Sequence, residues 1–97
     1  MAAAAATATV RRDGDALVFD GALVREACAA LWRLLQPLLA GARRIDLEAV
    51  TAIDSAGLAL LAEVAARAGI DTVTGTPPGL PELRAAYRLD TGLGYGG

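Results

Sequence analysis

The chain opens on short alternating stretches. Residues 7–12 and 16–19 read as strands on either side of Asp13-Gly14-Asp15, a hairpin turn signal. Gly21 is expected to end the second strand. From Leu23 the spacing of apolar residues lengthens to the helical period. Val24, Ala27/Cys28, Leu31, Leu34/Leu35 and Leu38 then share one face. Pro37 is expected to kink or end this helix, because proline has no N–H to give and clashes with the preceding turn. Gly41 is the expected C-cap.

Residues 44–47 alternate again, and residues 50–53 lead into a turn at Asp54-Ser55-Ala56-Gly57. Residues 56–68 carry the second helical pattern, closed by Gly69. Residues 70–74 form a β-branched strand of the buried type. GTPPG reads as a loop. Residues 81–89 form a third, short helix with Leu83, Ala86, Tyr87 and Leu89 inward. The predicted order is β-β-α-β-α-β-α, an α/β fold with a mixed four-stranded sheet and helices packed on it. All 97 residues fit one domain, residues 1–97, with 1–6 and 91–97 as loose tails.

The second helix has an uneven circumference. At 100° per residue, Leu58, Leu61, Val64, Ala65 and Ala68 gather on the core side. Glu63 and Arg67 stand four residues apart and suit a weak surface pair. The remaining side carries Ala59, Ala62 and Ala66, with Ser55 at its start. On one reading these exposed alanines serve helix propensity alone; on the other they form a docking face. A stripe of small side chains also lets another backbone approach at little entropic cost. Leu60 falls between the core and the Glu63/Arg67 pair. On the first helix Trp32 stands at the edge of the apolar stripe, as core edge or as binding anchor. Cys28 is nearly central on that stripe and reads as a small core residue.

Composition narrows the chemistry. The hydrophobic fraction is 55%, and much of it is alanine. No apolar run approaches the roughly 18 residues that a spanning helix needs, so no direct membrane insertion is expected. The opening MAAAAATATV lacks a basic region and a leucine-rich run, and makes a poor signal peptide. The nine basic residues are all arginine and are scattered, which disfavours a nucleic-acid partner. One cysteine permits no intramolecular disulfide. Histidine is absent, so imidazole bases and imidazole zinc ligands are excluded.

What remains is a hydroxyl at a helix start. Backbone N–H groups point outward there, and the helix dipole is positive. Either Asp54 or Ser55 suits the N-cap. Neither histidine nor lysine exists to activate Ser55 as a nucleophile, so no enzyme is expected. No metal site and no cofactor are expected either, and no glycine-rich phosphate loop is present.

The stretch IDLEAVTAIDSAGLALL resembles the signature of STAS domains, named for sulfate transporters and anti-sigma factor antagonists. Its elements are Asp46-Leu47, then Asp54-Ser55-Ala56-Gly57-Leu58 opening a helix. The resemblance runs from the first hairpin to Tyr87. Leu31-Trp32, GLALLAEVA and LRAAYRL are similar to the MlaB-type branch, small cytoplasmic subunits of a phospholipid ABC transporter. The resemblance implies a non-catalytic subunit that binds and regulates the transporter's ATPase at the cytoplasmic face of the inner membrane. It implies a role in outer-membrane lipid asymmetry, with Ser55 and Trp32 in the ATPase interface. Together with the helix geometry, it makes Trp32, Ser55, Ala56, Ala59, Leu60, Ala62 and Glu63 the candidate partner-binding residues. Ser55 stands where that branch has threonine, and anti-sigma factor antagonists commonly carry serine there. The alternative it implies is such an antagonist, switched by phosphorylation of Ser55.

Overall fold

The computed structural model describes residues 8–87. The expected tails, Thr7 and the side chains of Tyr87 and Leu89 lie outside what it describes. The elements are β1 (Ala8–Asp13), β2 (Ala16–Leu23), α1 (Arg25–Leu35), a 3-10 turn (Gln36–Leu38), β3 (Arg44–Ile53), α2 (Ser55–Ala68), β4 (Thr72–Thr74) and α3 (Leu80–Tyr87). The predicted order β-β-α-β-α-β-α is therefore the observed one. The sheet runs β1-β2-β3-β4, with β1 antiparallel to β2 and the other neighbours parallel.

This strand order decides where the helices go. The parallel connections β2-α1-β3 and β3-α2-β4 advance in one direction across the sheet. Two crossovers of the same hand must then lay both helices on the same face. Accordingly α1 touches β1 and β2, α2 touches β2 and β3, and the two helices touch each other. Between them and the sheet lies the core, built on Leu17, Phe19, Leu31, Leu35, Ile45, Leu47, Leu61 and Val64. Thr9, Arg11, Asp20 and Thr72 are exposed.

Several boundaries differ from the sequence expectation. Gly21 does not end β2, which continues to Leu23. It has φ 93° beside a register shift against β3, so it relieves a bulge where a chiral residue would be strained. Leu23 is consequently a buried strand residue, and α1 begins only at Arg25, with Val24 as its cap. The shorter strand seen at 44–47 and the approach at 50–53 are one strand, β3. Twice along β3 an extra residue is inserted against β2, between Asp46 and Ala49 and between Val50 and Ala52. Inward residues therefore fall at Ile45, Leu47, Val50 and Ile53, in steps of two, three and three. The bulges restore the inward phase that simple alternation would lose.

Pro37 ends α1, as expected, by converting its last turn to a 3-10 turn. Gly41 is not the C-cap. Gln36 and Leu39 close the two helical pieces, and Gly41 lies in the turn beyond them. Gly69 does close α2, in the left-handed conformation at φ 69°, with its N–H returned to the Ala65 carbonyl. The strand expected at 70–74 is only Thr72–Thr74; Ile70 is buried just after the helix, its N–H also on Ala65. Leu34 is exposed, since Leu31 and Leu35 already fill the core side of α1. In α3 the anchor is Leu80, fully buried; Leu83 is half-buried and Ala86 is exposed rather than inward.

The loop of residues 75–79 follows β3 beyond the end of β4. Gly75 lies against the backbone of Leu47 and Glu48, and Gly79 against the Ile53 carbonyl. Pro77 and Pro78 stand between, beside a recess of about 330 Å³.

A candidate partner-binding groove between the two helices

Helices α1 and α2 lie side by side with their N-termini adjacent. One carboxylate explains the arrangement. Asp54 accepts the Gly57 N–H on Oδ1 at 2.9 Å, which caps α2. Its other oxygen, Oδ2, accepts the Arg25 N–H at 3.0 Å, at the first residue of α1. A single side chain thus satisfies an orphan donor on each helix. These donors favour the ionised form. The Gly57 N–H first, and the Arg25 and Ala56 N–H groups after it, hold the carboxyl below the usual range against a partial desolvation. The choice between Asp54 and Ser55 as cap is settled for Asp54. Ser55 is the first residue of α2, with an exposed side chain.

Closeness at this end also depends on Gly57. A Cβ there would run into the carbonyl of Leu23, the last residue of β2. That same carbonyl accepts the Asp54 N–H at 3.2 Å. Strand end, turn and helix start are packed to contact, and only a residue without a side chain fits.

Further along, the helices part enough to leave an open groove of about 500 Å³. Cys28, Ala29 and Trp32 line it from α1, and Ala56, Ala59, Leu60 and Glu63 from α2. Its walls are almost wholly carbon. Trp32 is half-buried against the core. The Arg67 guanidinium lies over its ring, 5.2 Å from the centroid, within cation–π range. The same guanidinium pairs with Glu63 at 2.7 Å. Both partners are more than half exposed, so the pair itself contributes only about 0.3–0.5 kcal/mol.

The groove brings together Trp32, Ala56, Ala59, Leu60 and Glu63 of the residues singled out in the sequence. Ser55 and Ala62 do not line it. The α2 lining spans about 100° of the helix, and Ser55, Ala62 and Ala66 occupy the adjoining sector of about 40°. Ala59 is exposed and stands where the two meet. Leu60 is buried and belongs to the core cluster while also lining the groove. Cys28 is half-buried rather than central in the core. Its thiol donates to the Val24 carbonyl at 3.5 Å, and burial, then the nearby Asp54 charge, push its pKa up. Sequence reasoning missed the second bond of Asp54 and the stacking of Arg67 on Trp32. Both depend on how α1 and α2 face each other, which periodicity along one helix does not give.

A family model described as "Mlab, STAS domain" matches residues 7–95. The chain belongs to the STAS family. The matched range includes the strand-to-helix turn Asp54-Ser55-Ala56-Gly57-Leu58. STAS domains are generally regulatory and non-enzymatic. A search of the curated proteins finds no match. Among the described residues, no helix of this STAS domain is long and apolar enough to cross a membrane, and no three metal-binding side chains cluster.

Proposed function

We propose that this STAS domain is a non-catalytic subunit that binds and regulates the ATPase of an inner-membrane phospholipid-transporting ABC complex. In this reading it serves outer-membrane lipid asymmetry from the cytoplasmic face, held there by the ATPase and touching the permease only through it. The observation that carries the reading is the groove. A half-buried Trp beside a wall of alanines offers an anchor and close backbone approach in one place. The docking patch comprises Trp32, Ala56, Ala59, Leu60 and Glu63, and extends round α2 to Ser55 and Ala62. The MlaB-type family model supports the choice of partner. Co-purification of the chain from native cells tests it. Recovery of an ABC ATPase supports the proposal, and recovery of an anti-sigma kinase in its place refutes it.

One observation favours a second reading. Asp54 does the capping, so the Ser55 hydroxyl is exposed at a helix N-terminus and is not used as the cap. An anti-sigma factor antagonist switched at Ser55 would need such a hydroxyl. A phosphate there would add roughly −1.5 to −2 charge at the patch edge and repel an acidic partner surface. Intact-mass analysis of the chain after incubation with the co-purified kinase and ATP, with Ser55→Ala as control, tests this reading.

A further inference from the structure

The groove depends on how far apart α1 and α2 stand. We infer that Asp54 is the positioning residue that sets the width of the groove, by tying the first turn of α1 to the first turn of α2. This rests on the reading of the groove as a docking face only in its consequence for binding; the tie itself is intramolecular.

Three observations support it. The carboxylate divides its two oxygens between the helices, Oδ1 on Gly57 N–H and Oδ2 on Arg25 N–H, 2.9 and 3.0 Å away. Neither oxygen alone spans the gap, so a shorter or singly accepting side chain can cap one helix and must release the other. The groove opens directly after this tie, with Cys28 and Ala56 at its near end. Asp54 belongs to β3's exit, which the Leu23 carbonyl anchors at 3.2 Å. The tie therefore refers both helices to the sheet. Release would let α1 swing on its core contacts at Leu31 and Leu35, widening the groove at Cys28 and Trp32.

The chain carries one tryptophan and one cysteine, and both line the groove. They are native probes of its width. The decisive substitution is Arg25→Pro. Position 25 is the first residue of α1, where proline is well accommodated, and Val24 is already extended at φ −122° and ψ 167°. This change deletes the N–H that Asp54 accepts and leaves the helix otherwise competent. Arg25→Ala loses the same guanidinium but keeps the N–H, and serves as the reference. Asp54→Ser, which can still cap α2 but is too short for α1, is the second variant.

Acrylamide quenching of Trp32 and alkylation of Cys28 by iodoacetamide are read on each variant well below its unfolding midpoint. We expect Arg25→Pro and Asp54→Ser to raise the Trp32 quenching constant roughly twofold, as local opening exposes a half-buried ring. Arg25→Ala should stay at the parent value. Cys28 should alkylate faster in Arg25→Pro than in Arg25→Ala. Both lack the cation, so the difference reports access rather than thiol acidity. A merely structural cap would lower the unfolding midpoint and leave both probes at parent accessibility, and that result overturns the inference. If Asp54→Ser does not fold, the proline–alanine comparison decides alone. A pull-down of the ATPase with Arg25→Pro separates the two proposals. Opening with lost retention agrees with both, and opening with full retention overturns the docking role of the groove while upholding the tie.

Discussion

The carbonyl oxygen of Leu23 occupies the place where a side chain on Gly57 would begin. Strand β2 and helix α2 can approach this closely only because position 57 has no Cβ. Gly57→Ala should therefore destabilise the fold, although alanine is the better helix former by about 1 kcal/mol. The collision is with backbone, which cannot rotate away. We expect a net loss of about 1–3 kcal/mol from overpacking, or more. Urea unfolding followed by far-UV circular dichroism measures it, and an unchanged midpoint would contradict the geometry.

Ala59→Arg should leave the domain folded and abolish docking. The position is exposed, so the core is untouched. On the partner side the long cation would meet a surface shaped for a methyl group and lose its hydration. A centrally placed clash of this kind costs on the order of 2 kcal/mol or more. Trp32→Ala should weaken docking too, with some stability lost from its half-buried ring. Pull-down of the ATPase by each folded variant is the measurement. Equal retention of Ala59→Arg would reduce the alanine stripe to helix propensity.

Asp54 makes a pH-dependent contribution whose sign follows from its depressed pKa. The native state holds the carboxylate ionised at pH values where the unfolded chain begins to bind a proton. Stability from this group is thus complete above the unfolded pKa of about 4 and is lost as pH falls below it. Asp54→Asn can still cap one helix but replaces an accepting oxygen by an NH2, so it should destabilise the domain by about 1 kcal/mol at neutral pH, the usual worth of one hydrogen bond. The gap between parent and variant should close as the pH drops below that value. Chemical unfolding across a pH series tests this, and a gap that widens in acid would reverse the argument.

Arg67→Ala is expected to be nearly silent for stability. It removes an exposed ion pair and an exposed cation–π contact, together worth about 1 kcal/mol or less. Its effect should appear in Trp32 emission, because the guanidinium covers the indole ring. A change in intensity or wavelength at an unchanged midpoint is the expected outcome. An unaltered spectrum would mean that the stacking is not held in solution.

The fold was legible in the chain because each element announces itself locally. Asp13-Gly14-Asp15 marks the hairpin, Pro37 the end of α1 and Gly69 the end of α2. The errors came where the pattern depends on a neighbour. Nothing local tells that β3 carries two extra residues against β2, so its inward steps at Val50 and Ile53 look like a break. Leu23 has the spacing of a helical residue, yet the parallel pairing with Ile53 keeps it in the strand. For the groove, Trp32, Ala59 and Glu63 could be placed on their helices by periodicity. Which helix faces which is a tertiary fact, and so periodicity alone puts Cys28 in the core and Leu60 at a rim. The double use of Asp54 was invisible for the same reason, since its second donor lies 29 residues away in sequence.

The loop of residues 75–79 has a consequence for how the molecule keeps to itself. Strand β4 pairs only with Arg44–Asp46 of β3, which leaves residues 47–53 without a strand on the side away from β2. A bare strand border of that length is a template on which other chains can polymerise. Here the loop lies along it, from Gly75 beside Leu47 to Gly79 beside Ile53. Pro77 and Pro78 have no N–H to offer an incoming chain, so the covering segment is itself a poor template. The short last strand and its proline-bearing loop thus act as a selvedge, finishing the cloth so that it does not fray into fibres.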